Sequence, residues 1–152
     1  MKITIQPNKT SEWYVLVKET QAQVGLYFDE HIENYVILTL DKFMNDNSLI
    51  TTPIALEFLK TLKITSRASN HRLRKIGDRC LILSGLFPEH IQKTNVSTTY
   101  YITIGQQAYL TLADRAHLKL GPELFYKLGL KFVDIKELLN AMRNLYQIRK
   151  IH

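Results

Sequence analysis

The segment from Arg67 to Phe87 joins a dense cluster of positive charge directly to an apolar run, and it limits the possible folds more than any other part of the chain. Residues 60–79 contain seven Lys or Arg and a single acid, whereas residues 80–87 are apolar apart from one serine and one glycine. The apolar run suits a protein core. We expect something acidic, elsewhere in the fold or on a partner, to compensate the positive cluster.

Charge is unevenly distributed along the whole chain, whose net charge is +6. Residues 1–59 carry four Lys and eight acids, and residues 60–152 carry sixteen Lys or Arg and six acids. Either the two halves face each other and neutralise, or the second half presents a basic surface to nucleic acid or an acidic partner. Both interpretations stay open at this stage.

The overall composition is typical of one globular domain, predicted here over residues 1–152. The first residues lack an apolar leader, and the apolar run is too short to cross a bilayer. A cytoplasmic location without membrane association is therefore expected. Cys80 is the only cysteine and has apolar neighbours, which predicts a small buried side chain rather than a reactive thiolate.

Capping residues and apolar periodicity predict six or seven helices, hence an all-α bundle with a short N-terminal strand or arm at Lys2 to Ile5. We expect helix starts at Ser11, Asp29, Thr52–Pro53 and Ser97 or Thr98. The predicted helices span residues 11–24, 29–45, 54–62, 71–86, 98–116, 123–128 and 133–149, with a single turn at 88–93. Residues 65–70 are expected to break the helical pattern, so Arg72, Arg74 and Lys75 would lie near a helix start, where the helix dipole disfavours cations.

Two predicted helices carry small residues along one stripe, which favours a close crossing between them. The stripes comprise Leu73, Gly77, Cys80, Ser84 and Phe87 on one helix, and Tyr101, Gly105, Ala108, Tyr109 and Leu112 on the other. Glycine inside a helix costs about 0.5–1 kcal/mol relative to alanine. That cost is reasonable where a neighbouring helix fills the gap, so we expect the two helices to cross near Gly77 and Gly105.

The same two segments, Leu73 to Phe87 and Thr99 to Ala113, resemble a family of small bacterial proteins with no assigned activity. The pattern is Leu-Arg-x-x-Gly-Asp, then an apolar run to Gly and Phe, then Tyr-Tyr-x-x-x-Gly-x-x-Ala-Tyr. The matching residues are Leu73, Arg74, Gly77, Asp78, Gly85, Phe87, Tyr100, Tyr101, Gly105, Ala108 and Tyr109. The resemblance covers about a quarter of the chain and implies that this helix pair is the core of the family.

Polar residues beside the predicted crossing are the candidates for chemistry. Arg74 and Asp78 are four residues apart and could pair on the helix surface for about 0.3–0.5 kcal/mol. With Tyr100 and Tyr101 opposite, they could instead form a buried polar network or a ligand site. Adjacent tyrosines cannot both face inward from one helix, so we expect one of them at a rim.

Three functions remain open, in order of preference. The first is a non-enzymatic interaction or regulatory domain that contacts a protein partner or forms a homodimer. The second is nucleic-acid binding through residues 60–79, since residues 58–82 resemble a helix-turn-helix. The third is an enzyme with a polar site near Asp78 and Tyr101. No catalytic motif and no ligand spacing among the histidines is evident, so no catalytic residue, metal or cofactor is expected. The candidate contact residues are Arg72, Arg74, Lys75, Asp78, Arg79, Tyr100 and Tyr101.

Overall fold

A computed structural model describes residues 3–5, 10–44, 54–63, 66–94, 96–115 and 122–148, and there the chain forms an all-α bundle with one pair of short strands. The predicted fold class is confirmed. The helices are α1 (Thr10–Val24), α2 (Glu30–Met44), α3 (Ile54–Leu62), α4 (Arg67–Leu86), α5 (Pro88–Gln92), α6 (Thr98–Ala113), α7 (Pro122–Leu130) and α8 (Phe132–Leu145). The strands are β1 (Ile3–Ile5) and β2 (Tyr146–Ile148).

Side-chain caps begin several helices at the predicted positions. Asp29 Oδ1 accepts a hydrogen bond of 2.9 Å from the backbone N–H of Ile32 and so caps α2. Ser97 caps α6 in the same way, accepting from the N–H of Tyr100 at 3.1 Å. The predicted start at Thr52–Pro53 lies outside the described residues, although α3 itself has the predicted bounds.

Helix α4 begins earlier than predicted, because the polar residues before His71 form its first turn. Ser66 is the N-cap, and its hydroxyl accepts from the N–H of Ser69 at 3.1 Å. The Ser69 hydroxyl in turn donates to the Thr61 carbonyl, 3.0 Å away, which ties α4 to the end of α3. The predicted break at residues 65–70 is therefore wrong for 67–70. The basic residues from position 72 onward lie beyond the first turn, so the helix-dipole penalty does not apply to them.

The C-terminal part also departs from the prediction. Helix α7 continues through Gly129, and only Lys131 separates it from α8. Helix α8 ends at Leu145, and the next three residues form β2, which pairs in parallel with β1, Ile3 opposite Tyr146 and Ile5 opposite Ile148. The prediction extended the last helix to Arg149 because the apolar spacing continues to Ile148, and pairing with the distant β1 overrides it.

Helix α4 is the centre of the bundle and packs against α6 on one side and α8 on another. Every residue from Arg79 to Phe87 is buried. Full burial of one leucine-sized side chain contributes about 1.5–3 kcal/mol, so this run is a major source of stability. Cys80 is fully buried within it, as expected, and burial raises the pKa of its thiol.

The predicted crossing of α4 and α6 is confirmed at both glycines. A Cβ atom at Gly77 would lie 2.6 Å from the ring of Tyr109, and one at Gly105 would lie 2.8 Å from the Cβ of Cys80 and 2.5 Å from the ring of Phe132. Gly77 meets Tyr109, whereas Cys80, further along α4, meets Gly105, which is earlier in α6. The two helices therefore run antiparallel. Side chains from α6 and α8 fill the space that the missing side chains leave.

Candidate functional site

The carboxylate of Asp78, on α4 beside the crossing, is hydrogen-bonded to two other helices. Its Oδ1 accepts a hydrogen bond of 2.6 Å from the Tyr35 hydroxyl on α2 and one of 2.7 Å from the Tyr109 hydroxyl on α6. Hydrogen bonds to a charged group contribute about 1.5–3 kcal/mol each. The carboxylate therefore ties three helices together.

Arg74 joins this network through Tyr35 rather than through the surface ion pair considered from the sequence. Its Nε donates to the Tyr35 hydroxyl at 3.0 Å, and that hydroxyl donates onward to Asp78. The guanidinium carbon also lies 5.1 Å from the centre of the Tyr35 ring, in cation–π geometry. Tyr35 thus bridges the two residues. It holds the arginine in two ways, through its hydroxyl and through the face of its ring.

Phe125 of α7 packs against the tyrosines that close the network. Its ring is stacked on Tyr109 with centres 6.2 Å apart, and it meets Tyr35 edge-on at 5.9 Å. Edge-on and offset-stacked aromatic pairs contribute about 0.5–1.5 kcal/mol beyond their buried area. The polar network therefore sits behind an aromatic layer and joins α2, α4, α6 and α7.

The ionisation behaviour of the network suits a structural role. Burial raises the pKa of Asp78, and the hydrogen bonds from the two tyrosines oppose that rise. Burial also raises the pKa of Tyr35 and Tyr109 well above the usual value of 10.0. Both tyrosines therefore favour the neutral form, in which each hydroxyl can donate its proton to Asp78.

The sequence placed the wrong tyrosines beside Asp78. Tyr101 is 6% exposed, and burial raises its pKa. Tyr109, eight residues further along α6, faces Asp78 instead, because the antiparallel crossing puts the end of α6 beside Gly77. Tyr100 is 44% exposed, so the prediction that only one of the adjacent pair faces inward is confirmed.

Arg79, predicted as a partner contact, is a buried structural residue. Its Nη1 lies 3.1 Å from Glu57 Oε2 of α3, and the arginine side chain is only 8% exposed. The guanidinium therefore pairs with an acid of the same chain, and little of the arginine side chain is exposed. One cation of the positive cluster is thus neutralised by the acidic first half.

Five of the other six cations of the cluster are exposed, and we call the surface that they form the basic face. It consists of Lys60, Lys63, Arg67, Arg72 and Lys75, on α3, its connection to α4 and the first half of α4. None of these five forms an ion pair within the described parts of the chain, where the acidic first half reaches the second only through Arg79–Glu57 and Lys127–Asp29. Neutralisation between the two halves is therefore partial.

Two leucines on α3 are exposed among these cations. Leu59 is 56% exposed and Leu62 is 38% exposed, and each is directly followed in the chain by an exposed lysine, Lys60 or Lys63. Phe58, on the same helix, packs against the core. The basic face therefore contains an apolar strip.

Tyr35 is the member of the network that the sequence did not indicate. It lies 43 residues before Asp78 in the chain, so no local spacing links the two residues. The other members, Arg74, Asp78 and Tyr109, come from α4 and α6, the two helices of the crossing.

Two further observations concern the described residues alone. No group of three or more His, Cys, Asp or Glu there is arranged to hold a metal ion, and no helix there combines the length and apolar character needed to cross a membrane. Comparisons with family models, with curated proteins and with solved structures gave no match to this chain.

Proposed function

We propose that this protein acts by binding an acidic protein partner, not by catalysis, and that the basic face is the contact surface. The observation that carries the proposal is the exposure of Leu59 and Leu62 among cations that have no ion pair in the described structure. Protein interfaces combine an apolar centre with a polar rim. Charge complementarity also speeds encounter and selects the partner.

A second copy of the chain fits this surface less well than a different protein. A two-fold dimer uses the same patch on both subunits. It would then oppose Arg72 and Lys75 to the same residues of the other subunit, and like charges in contact cost free energy. The partner is therefore proposed to be a different protein with an acidic segment that carries apolar side chains.

The experiment compares two probes on the same protein. Fluorescence anisotropy measures binding of a labelled peptide of alternating Glu and Leu and, separately, of a short duplex DNA. We expect the peptide to bind and the double variant Arg72→Glu, Lys75→Glu to abolish that binding. Leu59→Ser with Leu62→Ser should weaken it. Lys93→Glu, an exposed cation beyond the other end of α4, is the matched control and should leave it unchanged.

Nucleic-acid binding is the second candidate, supported by one specific arrangement. Helix α3 leads through a short connection into α4, whose first half carries the exposed Arg67, Arg72 and Lys75, as in a helix-turn-helix. Against it stands the burial of α4 from Arg79 onward, together with the apolar strip, since DNA interfaces are strongly polar. Tighter binding of the duplex than of the peptide, steeply weakened by salt and insensitive to the leucine changes, would favour this candidate.

A further inference from the structure

Arg74 lies next to the basic face and is held in one orientation. It is partly buried, its Nε is occupied by the Tyr35 hydroxyl, and its guanidinium stacks on the Tyr35 ring. A surface arginine normally samples many rotamers, and fixing them on binding costs free energy. Here the fold has already restricted the side chain.

The two Nη atoms of Arg74 have no partner within the described residues. A guanidinium has five N–H donors and Tyr35 receives one of them, so four donors remain. Their planar fork matches the two oxygens of a carboxylate, which an arginine can bind with two parallel hydrogen bonds. The Nη atoms of Arg74 can therefore bind an oxyanion while its Nε stays hydrogen-bonded to Tyr35 inside the fold.

The surroundings of Arg74 add to the positive charge. His71 lies three residues before Arg74 and four before Lys75, spacings that bring helical side chains together, and Lys75 directly follows Arg74. Partial burial lowers the pKa of His71, and the charges of Lys75, Lys42 and Arg74 lower it further, opposed only by Asp78. Lys42, on α2, is exposed two turns after Tyr35. The positive charges of Lys42, Arg74 and Lys75 therefore all act on His71, and the one acid that opposes them, Asp78, already accepts two tyrosine hydroxyls.

Resting on the proposed function, we infer that one carboxylate of the acidic partner docks on the Nη atoms of Arg74, between Lys42 of α2 and Lys75 of α4. The contact relieves the mutual repulsion of these three cations. It also makes Arg74 the anchor of the interface. The leucines and the remaining cations of the basic face add contact area around it. Tyr35 is a positioning residue, since it orients Arg74 without touching the partner.

His71 provides the measurement, because its imidazole reports the charge beside it. NMR follows the titration of His71 in the whole protein, alone and saturated with the alternating Glu and Leu peptide. A bound carboxylate adds negative charge near the imidazole, so we expect the pKa of His71 to rise on binding. Inorganic phosphate is the comparison probe, and it should bind more weakly than the peptide.

Three variants test the assignment. Arg74→Lys retains the charge but loses the planar fork, and we expect about tenfold weaker peptide binding. Lys42→Gln, at an exposed position that should not affect folding, should weaken binding and reduce the rise in the His71 pKa. Tyr35→Phe keeps the ring and removes the bond to Arg74, so affinity should fall while the His71 shift at saturation persists.

The outcomes separate this inference from the proposed function. Peptide binding that Arg72→Glu, Lys75→Glu abolishes, but that Arg74→Lys and Lys42→Gln leave intact with His71 unshifted, overturns the Arg74 anchor and retains the basic face. Absence of peptide binding overturns both. Phosphate binding tighter than the peptide overturns the choice of a carboxylate.

Discussion

The ring of Tyr109 occupies the space that a side chain at Gly77 would need, with ring atoms 2.6–2.9 Å from the position of a Cβ atom. The ring has little freedom to move away. Its hydroxyl is bonded to Asp78, and its faces contact Phe125 and Phe132.

Gly77→Ala should therefore destabilise the protein. Alanine favours a helix by about 1 kcal/mol over glycine, yet overpacking a filled site costs about 1–3 kcal/mol, and displacing Tyr109 also disturbs its bond to Asp78. We expect a net loss of about 1–2 kcal/mol in urea unfolding. In a Tyr109→Leu background, where the ring is absent, the further change Gly77→Ala should cost much less than it does in wild type. A stability equal to wild type in the single Gly77→Ala variant would contradict the close crossing.

Removal of the Tyr109 hydroxyl tests the network. Tyr109→Phe keeps the ring in place and deletes one donor to a carboxylate, which should cost about 1.5–3 kcal/mol. Tyr100→Phe is the matched control on the same helix, exposed to solvent, and should change stability by less than about 0.5 kcal/mol. Equal effects of the two changes in thermal or urea unfolding would show that the bond to Asp78 contributes nothing.

The raised pKa of Asp78 predicts a pH dependence of stability. Because the folded state holds the carboxyl proton more tightly than the unfolded state, this group contributes most below the unfolded pKa of 3.8. That contribution is lost as the pH rises through the folded value. The stability of wild type relative to Asp78→Asn should accordingly fall as the pH increases from 3.8 upward. A difference that stays constant, or grows with pH, in unfolding curves would refute the direction.

The ion pair between Arg79 and Glu57 should matter more than an exposed one. Glu57→Gln removes the carboxylate opposite a buried guanidinium and should cost about 1–3 kcal/mol. Glu123→Gln interrupts the exposed pair with Lys127 and should stay within about 0.5 kcal/mol of wild type. Calorimetric unfolding of the two variants measures the difference, and a larger effect at position 123 would argue against burial of Arg79.

The helical class and the close crossing could be predicted from the chain because both depend on local spacing. The glycines at 77 and 105 leave gaps that side chains of a neighbouring helix can fill. In the structure Tyr109 fills the gap at Gly77, and Phe132 fills the gap at Gly105. The register and direction of the crossing are not local properties. Tyr101 and Tyr109 fall on the same stripe of α6, so only the three-dimensional arrangement decides which of them meets Asp78.

Long-range partners account for the other differences. Nothing near Arg79 in the chain reveals that Glu57 approaches it, and nothing near Asp78 points to Tyr35. Residues 65–70 were predicted as a break because they are polar and interrupt the apolar spacing of the helices. Ser69 and Asn70 are both buried here, and their side chains bond to Thr61 and Arg115. A polar residue becomes acceptable inside a fold once a distant group satisfies it.

The burial of α4 from Arg79 to Phe87 also determines how this protein opens. Backbone amides along that stretch can exchange with deuterated water only after the surrounding helices separate, so no local fraying exposes them. The slowest-exchanging protons should therefore all lie there and share one protection factor, which reports the free energy of complete unfolding. A protease could likewise cleave inside this stretch of α4 only after complete unfolding.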